Sequence, residues 1–205
     1  MRNFYLDKNE TLSSRKTLNK LSNTLLSLLK QKSFEQISVK ELCRESKTGR
    51  STFYNYFDDI YDLLDYFWYF LRLKMGPLDC DSCDFETYLK LMLEKYINFL
   101  DENLDSVNLI LKHNDVSHFL LSSFRNYLND VVLYEIQSSL YDYKSDIPKD
   151  LLAEHYSNAI ITILELRYVY KNKELFRVIM SQIWGDKNRH QEVRQELRRL
   201  VNINS

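Results

Sequence analysis

The sequence contains very little glycine and proline, three residues of the first and two of the second. Tight turns and sheet corners depend on these two residue types, so their scarcity argues against a fold built from many short strands. Along most of the chain apolar residues recur at spacings of three and four, which is typical of amphipathic helices. The sequence therefore predicts an all-α fold, and a hydrophobic content of 44% is enough for a substantial core.

Long apolar segments are also missing. The first ten residues, MRNFYLDKNE, lack the apolar segment of a signal peptide. The most apolar stretch, residues 66–71, is six residues long and ends at Arg72, whereas about 20 residues are needed to span a membrane. We therefore expect no membrane association and a cytoplasmic protein.

Recognisable catalytic and metal-binding motifs are absent as well. The sequence has no glycine-rich phosphate loop, zinc-protease helix motif or nucleophile elbow, and its four histidines have no spacing that assembles a site. Cys80 and Cys83 form a Cys-x-x-Cys pair, but no second pair or suitably spaced histidine completes a zinc site. We interpret this pair as incidental, Cys43 as a small apolar residue, and the chain as having no enzymatic activity, cofactor or metal.

Residues 37–57, ISVKELCRESKTGRSTFYNYF, are the most informative segment. Ser38 and Glu41 have the spacing of a capping box, in which the serine oxygen accepts from the Glu41 amide and the glutamate side chain returns to the Ser38 amide. This pattern predicts a helix that begins at Val39 and is about two turns long. The helix is followed by a polar break.

The break leads directly into a second short helix. Gly49 is expected to take a positive φ in the turn, since a glycine has no β-carbon to oppose it. Phe53 and Phe57 lie four residues apart and are expected to pack inward. Two short helices joined by three or four residues have the dimensions of a helix-turn-helix, whose second helix enters the major groove of DNA.

Five parts of the sequence follow one another in a specific order. They are an amphipathic first helix (Leu18, Leu21, Leu25, Leu28, Leu29), residues 34–39, residues 41–43, residues 50–57 and residues 62–64. Together they resemble the N-terminal domain of the TetR family of transcriptional regulators. Members usually have a small residue, a glycine and an aliphatic residue where this chain has Ser46, Lys47 and Thr48. They also have a phosphate-binding lysine where this chain has Ile60, so Lys47 is expected to supply a different phosphate contact.

The resemblance implies a helix-turn-helix DNA-binding domain at residues 1–59 and a helical effector-binding and dimerisation domain at residues 60–205. The distribution of charge agrees with this division. Residues 1–50 contain eleven Lys or Arg and five Asp or Glu, a net charge of +6, whereas residues 51–205 contain seventeen and twenty-four, a net charge of −7. A basic face favours binding to phosphate, and the acidic remainder would be repelled from the duplex.

Candidate DNA contacts divide into those to phosphates and those to bases. Phosphate contacts are predicted for Ser14, Arg15, Ser38, Lys47 and Tyr56, which set position without sequence information. Base contacts are predicted for Arg50, Ser51, Thr52 and Tyr54, with Asn55 added if it turns toward the groove, and Gly49 belongs to the same surface. Arg50 is the best candidate for binding a guanine edge.

Downstream, helices are predicted at about 60–74, 85–100, 103–112, 115–142, 148–171, 173–184 and 187–201, with a linker at 76–84.

Two C-terminal stripes are candidates for dimerisation, one with Leu152, Tyr156, Ile160 and Ile163 and one with Leu175, Ile179, Ile183 and Trp184. In the TetR family the last two long helices commonly pair with their symmetry mates in a four-helix bundle. A two-fold dimer would read two half-sites of a palindromic double-stranded DNA operator. Core packing alone explains these stripes equally well.

The resemblance implies a homodimeric regulator, most often a repressor, that responds to a small hydrophobic or aromatic effector or to a partner protein. The aromatic residues of the C-terminal part can line a pocket or form plain core. His113, His118 and His155 can hydrogen-bond a ligand or serve as structural groups. The alternative is a protein–protein interaction adaptor or co-activator that keeps the fold and has lost its operator, as Ile60 and the altered turn suggest.

Overall fold

The computed structural model describes residues 12–78, 85–115, 117–137 and 148–184. Within these ranges the chain forms helices and no β-strand, which confirms the predicted all-α fold. The helices are α1 (Leu12–Leu29), α2 (Val39–Glu45), α3 (Arg50–Tyr54), α4 (Ile60–Met75), α5 (Phe85–Glu102), α6 (Leu104–His113), α7 (Phe119–Gln137), α8 (Lys149–Tyr168) and α9 (Lys173–Trp184), with a 3₁₀ turn at Phe34–Gln36. The predicted helix at 187–201 and most of the predicted linker lie outside the described residues.

Helix α4 begins and ends where the sequence predicts. The Asp59 side chain accepts hydrogen bonds from the Tyr61 and Asp62 amides at 2.8 and 2.9 Å, so it satisfies donors that have no partner within the helix. Gly76 ends the helix with a φ of +76°, a conformation that a residue with a β-carbon resists.

The aromatic run of α4 is buried on more than one side. Tyr66, Phe67, Trp68 and Phe70 are buried, and Tyr69 is partly buried. Helix α4 packs against α1 of the N-terminal part and against α5 and α7 of the C-terminal part. Helix α4 therefore lies between the two parts, and one continuous apolar core runs through both, so the domain boundary at residue 60 stays a prediction.

The corner between α6 and α7 holds the 3₁₀ turn that precedes the helix-turn-helix. Buried Asn114 accepts a hydrogen bond from the Phe34 amide at 2.9 Å, and the Glu35 carboxylate accepts one from the Phe119 amide at 2.8 Å. The Phe34 ring stacks on the Phe119 ring at 5.9 Å. Two hydrogen bonds and a ring contact thus join the N-terminal part to this corner.

Helix α7 begins later than predicted. A helix from about 115 was expected, but the Asp115 side chain accepts from the Ser117 amide at 2.8 Å and forms a turn of its own. The helix starts at Phe119 instead. This competition between an aspartate side chain and helical backbone bonds is the reason for the error.

The pair of α7 and α8 has the most extensive helix contact among the described residues. A polar cross-link also ties the end of α8 to α5. The Tyr168 hydroxyl lies 2.8 Å from the Asp101 carboxylate, which also pairs with Arg167 at 2.6 Å. Since two hydrogen-bonding side chains converge on one carboxylate, the orientation of α8 against α5 is fixed.

Candidate nucleic-acid interface and apolar cavity

The first helix of the motif starts with half of the predicted capping box. The Ser38 side chain accepts from the Glu41 amide at 3.2 Å, and α2 begins at Val39 as predicted. The Glu41 carboxylate does not return to the Ser38 amide but pairs with Lys32 at 2.8 Å. A nearby ammonium group gives the carboxylate a charged partner, which the neutral amide does not.

The turn after α2 has a left-handed residue, but it is Lys47 and not Gly49. Lys47 has a φ of +47°, whereas Gly49 has an extended φ of −61°. The Thr48 amide donates to the Cys43 carbonyl at 3.0 Å, and the Lys47 amide donates to the Arg44 carbonyl at 3.1 Å. These two bonds form a Schellman motif, which requires the left-handed residue at the position of Lys47. The expectation for Gly49 was wrong because it assigned the positive φ to the only glycine of the turn.

The second helix presents most of the predicted base-contacting side chains to solvent. Phe53 and Phe57 are fully buried, as predicted, and fix this helix to the core. Arg50, Ser51, Tyr54 and Asn55 are exposed, and Thr52 and Tyr56 are partly buried. The Tyr54 ring is 56% exposed although it touches Phe53, so its outer edge is available to a ligand. Contact between these residues and DNA stays a prediction.

A cationic cleft lies between α1 and the turn of the motif. Its lining consists of Lys16, Thr17, Lys20, Lys47, Thr48, Gly49 and Thr52, around a volume of about 280 Å³. The Lys20 ammonium donates to the Lys47 carbonyl at 3.3 Å and so joins α1 to the turn. Three lysines and three threonines lining one open cleft can bind a phosphate group.

Four of these lining residues, Lys16, Thr17, Lys20 and Thr48, were not predicted. Lys16, Thr17 and Lys20 lie on the side of α1 opposite its buried leucines, and the spacing of four between the lysines could have identified them as one face. Lys47, Gly49 and Thr52 were predicted and lie here. Ser14, Arg15, Ser38 and Tyr56 were predicted as phosphate contacts but do not line this cleft.

The predicted dimerisation residues lie in three different environments. Leu152, Ile160 and Ile163 are buried in the core of the chain itself. Tyr156, Leu175 and Ile179 are partly buried, and the side chains of Ile183 and Trp184 lie outside the described residues. The outward side of α8 carries Leu151, His155, Asn158, Ala159 and Thr162. Pairing with a second copy stays a prediction.

Helices of both parts surround an apolar cavity of about 230 Å³. The lining comes from α1 (Leu26, Leu29), α4 (Phe67, Trp68, Leu71, Met75), α5 (Tyr96, Phe99, Leu100), α6 (Ser106, Val107, Ile110, Leu111), α7 (Leu120, Leu121, Phe124, Tyr127) and α8 (Ile161, Leu164, Glu165, Tyr168), with Lys30, Asn103 and Val169 just beyond helix ends. His113, His118 and His155 do not line it. A cavity of this kind fits a largely apolar ligand.

Neither a metal-binding cluster nor a membrane-spanning helix is present in the described ranges. Those ranges contain no cluster of three or more His, Cys, Asp or Glu residues arranged to hold a metal ion. None of their helices has the length and apolar character of a membrane-spanning segment. Burial raises the pKa of the Cys43 thiol, so Cys43 is a core residue and not a nucleophile. Cys80 and Cys83 lie outside the described residues.

Comparison with known proteins gives matches to the motif and to the fold. Residues 23–67 match the model of the bacterial regulatory proteins of the tetR family. The chain is 27% identical over 187 residues to the HTH-type dhaKLM operon transcriptional activator DhaS of Lactococcus lactis subsp. lactis (strain IL1403), covering 88% of this chain and 96% of that protein.

Two solved structures have a similar fold. One is from Syntrophomonas wolfei str. Goettingen and is described as a TetR-family transcriptional regulator, with a TM-score of 0.56 and 17% identity over 82% of this chain and 93% of that one. The other is FadR from Bacillus subtilis in complex with stearoyl-CoA, with a TM-score of 0.50 and 14% identity over 82% and 97%. The match of the motif and the relative along nearly the whole chain confirm the resemblance of this chain to the TetR family of transcriptional regulators, and the solved structures share its fold.

Proposed function

We propose that the chain binds a specific double-stranded DNA operator as a homodimer and regulates transcription in response to an effector bound in the apolar cavity. The observation that supports DNA binding most strongly is the cationic cleft beside the exposed side of α3. A cation cluster next to exposed Arg50, Ser51 and Tyr54 combines phosphate binding with base recognition. The proposed role is that of a cytoplasmic binding protein and not an enzyme.

The dimer is proposed because a single α3 of five residues contacts too few base pairs for useful specificity. The outward side of α8 and the partly buried residues Leu175 and Ile179 of α9 are the surfaces proposed for pairing. Two copies related by a two-fold axis would bind a palindromic site whose half-site spacing is fixed by the protein.

The direction of regulation has two candidates. The family resemblance implies repression, whereas the relative from Lactococcus lactis is named a transcriptional activator. A reporter gene behind the selected operator distinguishes them. Deletion of the regulator raises expression if it represses and lowers expression if it activates.

Selection of genomic DNA fragments by the purified protein, followed by sequencing, tests the proposed function. We expect enrichment of one palindromic site at near-physiological salt.

Arg50→Ala should weaken binding to that site by about 1–3 kcal/mol and relax the preference at one base pair. Lys16→Gln should weaken all DNA alike and lower the slope of log affinity against log salt by about one.

Lys112→Gln is the matched control, because Lys112 is an exposed lysine on α6, outside the cleft. It should leave both the affinity and the salt slope unchanged. Recovery of random fragments, or of none, would favour the adaptor alternative, for which partly buried Ile60 at the usual lysine position is the supporting observation. In that case the protein should instead retain a partner protein.

A further inference from the structure

The apolar cavity extends into the DNA-binding part. Leu26 and Leu29 of α1 and Lys30, which directly follows α1, line it together with residues of α4 to α8. Helix α1 also carries Lys16 and Lys20 of the cationic cleft near its other end. A molecule in the cavity would therefore touch the same helix that forms one wall of the proposed phosphate site.

The cavity lining has a positively charged side chain without an oppositely charged partner among the described residues. Glu165, the acidic side chain of the lining, is paired with Arg125 at 2.8 Å. Lys30 is partly buried and has no ion-pair partner among the described residues. Its close charged neighbour is another lysine, Lys74, whose pKa is lowered by burial and by the charge of Lys30. A ligand with a negative group at Lys30 would relieve this repulsion.

Other polar groups of the lining favour a hydrogen-bonding head group. Ser106 and Asn103 line the cavity together with Lys30, and Asn103 is exposed. Much of the remaining lining consists of buried apolar side chains such as Trp68, Leu120 and Leu164. The site thus combines a cation and polar groups with a mainly apolar wall.

The volume sets the size of the apolar group. A cavity of about 230 Å³ has room for roughly eight carbon-sized groups, taking about 30 Å³ for each as for a water molecule in the liquid. Complete burial of such a tail supplies affinity, and the cation selects the head group.

We propose that the cavity binds an amphipathic anion, with a hydrocarbon tail of about eight carbons in the apolar interior and its negative head group at Lys30. This inference rests on the proposed function, in which the cavity is the effector site. Because Lys30 directly follows α1, and Leu26 and Leu29 of α1 line the same cavity, the bound anion acts on the end of the helix that carries Lys16 and Lys20. Ligand binding and operator binding are coupled through α1.

Calorimetric titration of the full chain with octanoate, 1-octanol and octylamine tests the ligand class. Octanoate should bind about tenfold more tightly than octanol, which has the same number of carbons and no charge, and octylamine should bind no better than octanol. Lys30→Gln should remove the advantage of octanoate and leave octanol binding unchanged. The control Lys112→Gln, an exposed lysine of α6 outside the lining, should behave as the unmodified chain does.

A second variant shows whether the ligand occupies the cavity. Val107→Trp places a larger side chain in the cavity lining and should abolish binding of both octanoate and octanol, with an unchanged helical circular dichroism spectrum. Equal affinity for octanoate and octanol, or full octanoate binding by Val107→Trp, would overturn the inference.

The failures of the two proposals can be told apart. Octanoate should change the affinity for the selected operator at least threefold for the unmodified chain and not for Lys30→Gln, a change of about 0.65 kcal/mol in coupling. If the chain selects an operator and does not bind octanoate, the ligand class is wrong and the regulatory function stands. If it binds octanoate and selects no DNA, the ligand class stands and the DNA-binding function is wrong.

Discussion

Lys47 has to satisfy two requirements at one position. Its left-handed φ of +47° costs a residue with a β-carbon about 1–2 kcal/mol, and its ammonium group belongs to the cationic cleft. Lys47→Gly should therefore raise the free energy of unfolding by about 1 kcal/mol, after the greater freedom of glycine in the unfolded chain is counted, and should weaken DNA binding. Urea denaturation and operator binding at several salt concentrations measure the two effects.

Lys47→Ala separates the charge from the backbone. Alanine keeps the β-carbon, so it should lose DNA affinity to the same extent as glycine without gaining stability. If the two variants were equally stable, the conformational strain at this position would be absent. If neither weakened DNA binding, Lys47 would not be a phosphate contact.

Asp65 on α4 is a charged residue that opposes folding at neutral pH. Burial raises the pKa of Asp65, and the carboxylates of Asp62 and Asp130 raise it further. An acid with a higher pKa in the folded state holds its proton more tightly when folded. The free energy of unfolding therefore falls as the pH rises from the unfolded pKa of about 3.9 through the folded pKa, and the full penalty applies above it.

Asp65→Asn should accordingly raise the melting temperature at pH 7, and the difference should vanish below about pH 4.

Asp115→Asn provides the opposite case, because hydrogen bonds from the Ser117 side chain and amide lower the pKa of Asp115. That substitution should lower stability at pH 7, and its effect should also vanish in acid. Melting curves from about pH 2 to 8 measure both variants, because the contribution of Asp115 is lost only below its lowered folded pKa. A loss of stability in Asp65→Asn at pH 7 would contradict the assignment.

Among the elements, the corner between α6 and α7 has the clearest energetic role. Asn114 is fully buried, accepts from the Phe34 amide and donates to the Ile110 carbonyl at 3.0 Å. Asn114→Ala leaves the Phe34 amide without its partner, so it should cost about 1–3 kcal/mol in the free energy of unfolding. Glu35→Gln keeps the oxygen that accepts from the Phe119 amide and should cost less than 1 kcal/mol, about the value of one exposed capping interaction.

Urea denaturation of the two corner variants measures the difference. Comparable losses would show that the buried hydrogen bond of Asn114 is no stronger than the exposed bond of Glu35. The same variants should differ in the coupling between octanoate and operator, because Asn114 joins the end of α6 to the turn before α2.

Local features of these elements could be predicted from the sequence, and contacts between distant segments could not. The Ser38 cap and inward-facing Phe53 and Phe57 depend on residues within four positions of one another, and each is confirmed. The bond from the Phe34 amide to Asn114 joins residues 80 positions apart, and no periodic pattern indicates it.

The candidate site shows the same limit. Apolar periodicity identified the stripe of Leu152, Ile160 and Ile163, but it cannot distinguish burial within the chain from burial against a second copy, and these residues lie in the chain's own core. Lys16 and Lys20 join Lys47 only because α1 packs beside the turn. A charge pattern gives the sign of a surface, whereas the packing of helices decides which charges meet.

For the whole molecule, the proposed dimer depends on a surface that the core does not use. The outward side of α8 includes exposed Leu151, Ala159 and Thr162, and its neighbour α9 carries partly buried Leu175 and Ile179. Small and apolar side chains on an outward helix face can pack closely against a second helix. We therefore place the proposed dimer interface on this side of the molecule.

Ala159→Glu tests that placement. If α8 packs against its symmetry mate there, each dimer buries two new carboxylates, and desolvation of each costs several kcal/mol. The dimer dissociation constant should then rise at least about 100-fold, and the affinity for a palindromic operator should fall with it while a single half-site binds as before. Sedimentation equilibrium measures the dissociation constant. Asn126→Glu, on an exposed position of α7, is the matched control and should stay dimeric, so equal dissociation constants for the two variants would place the interface elsewhere.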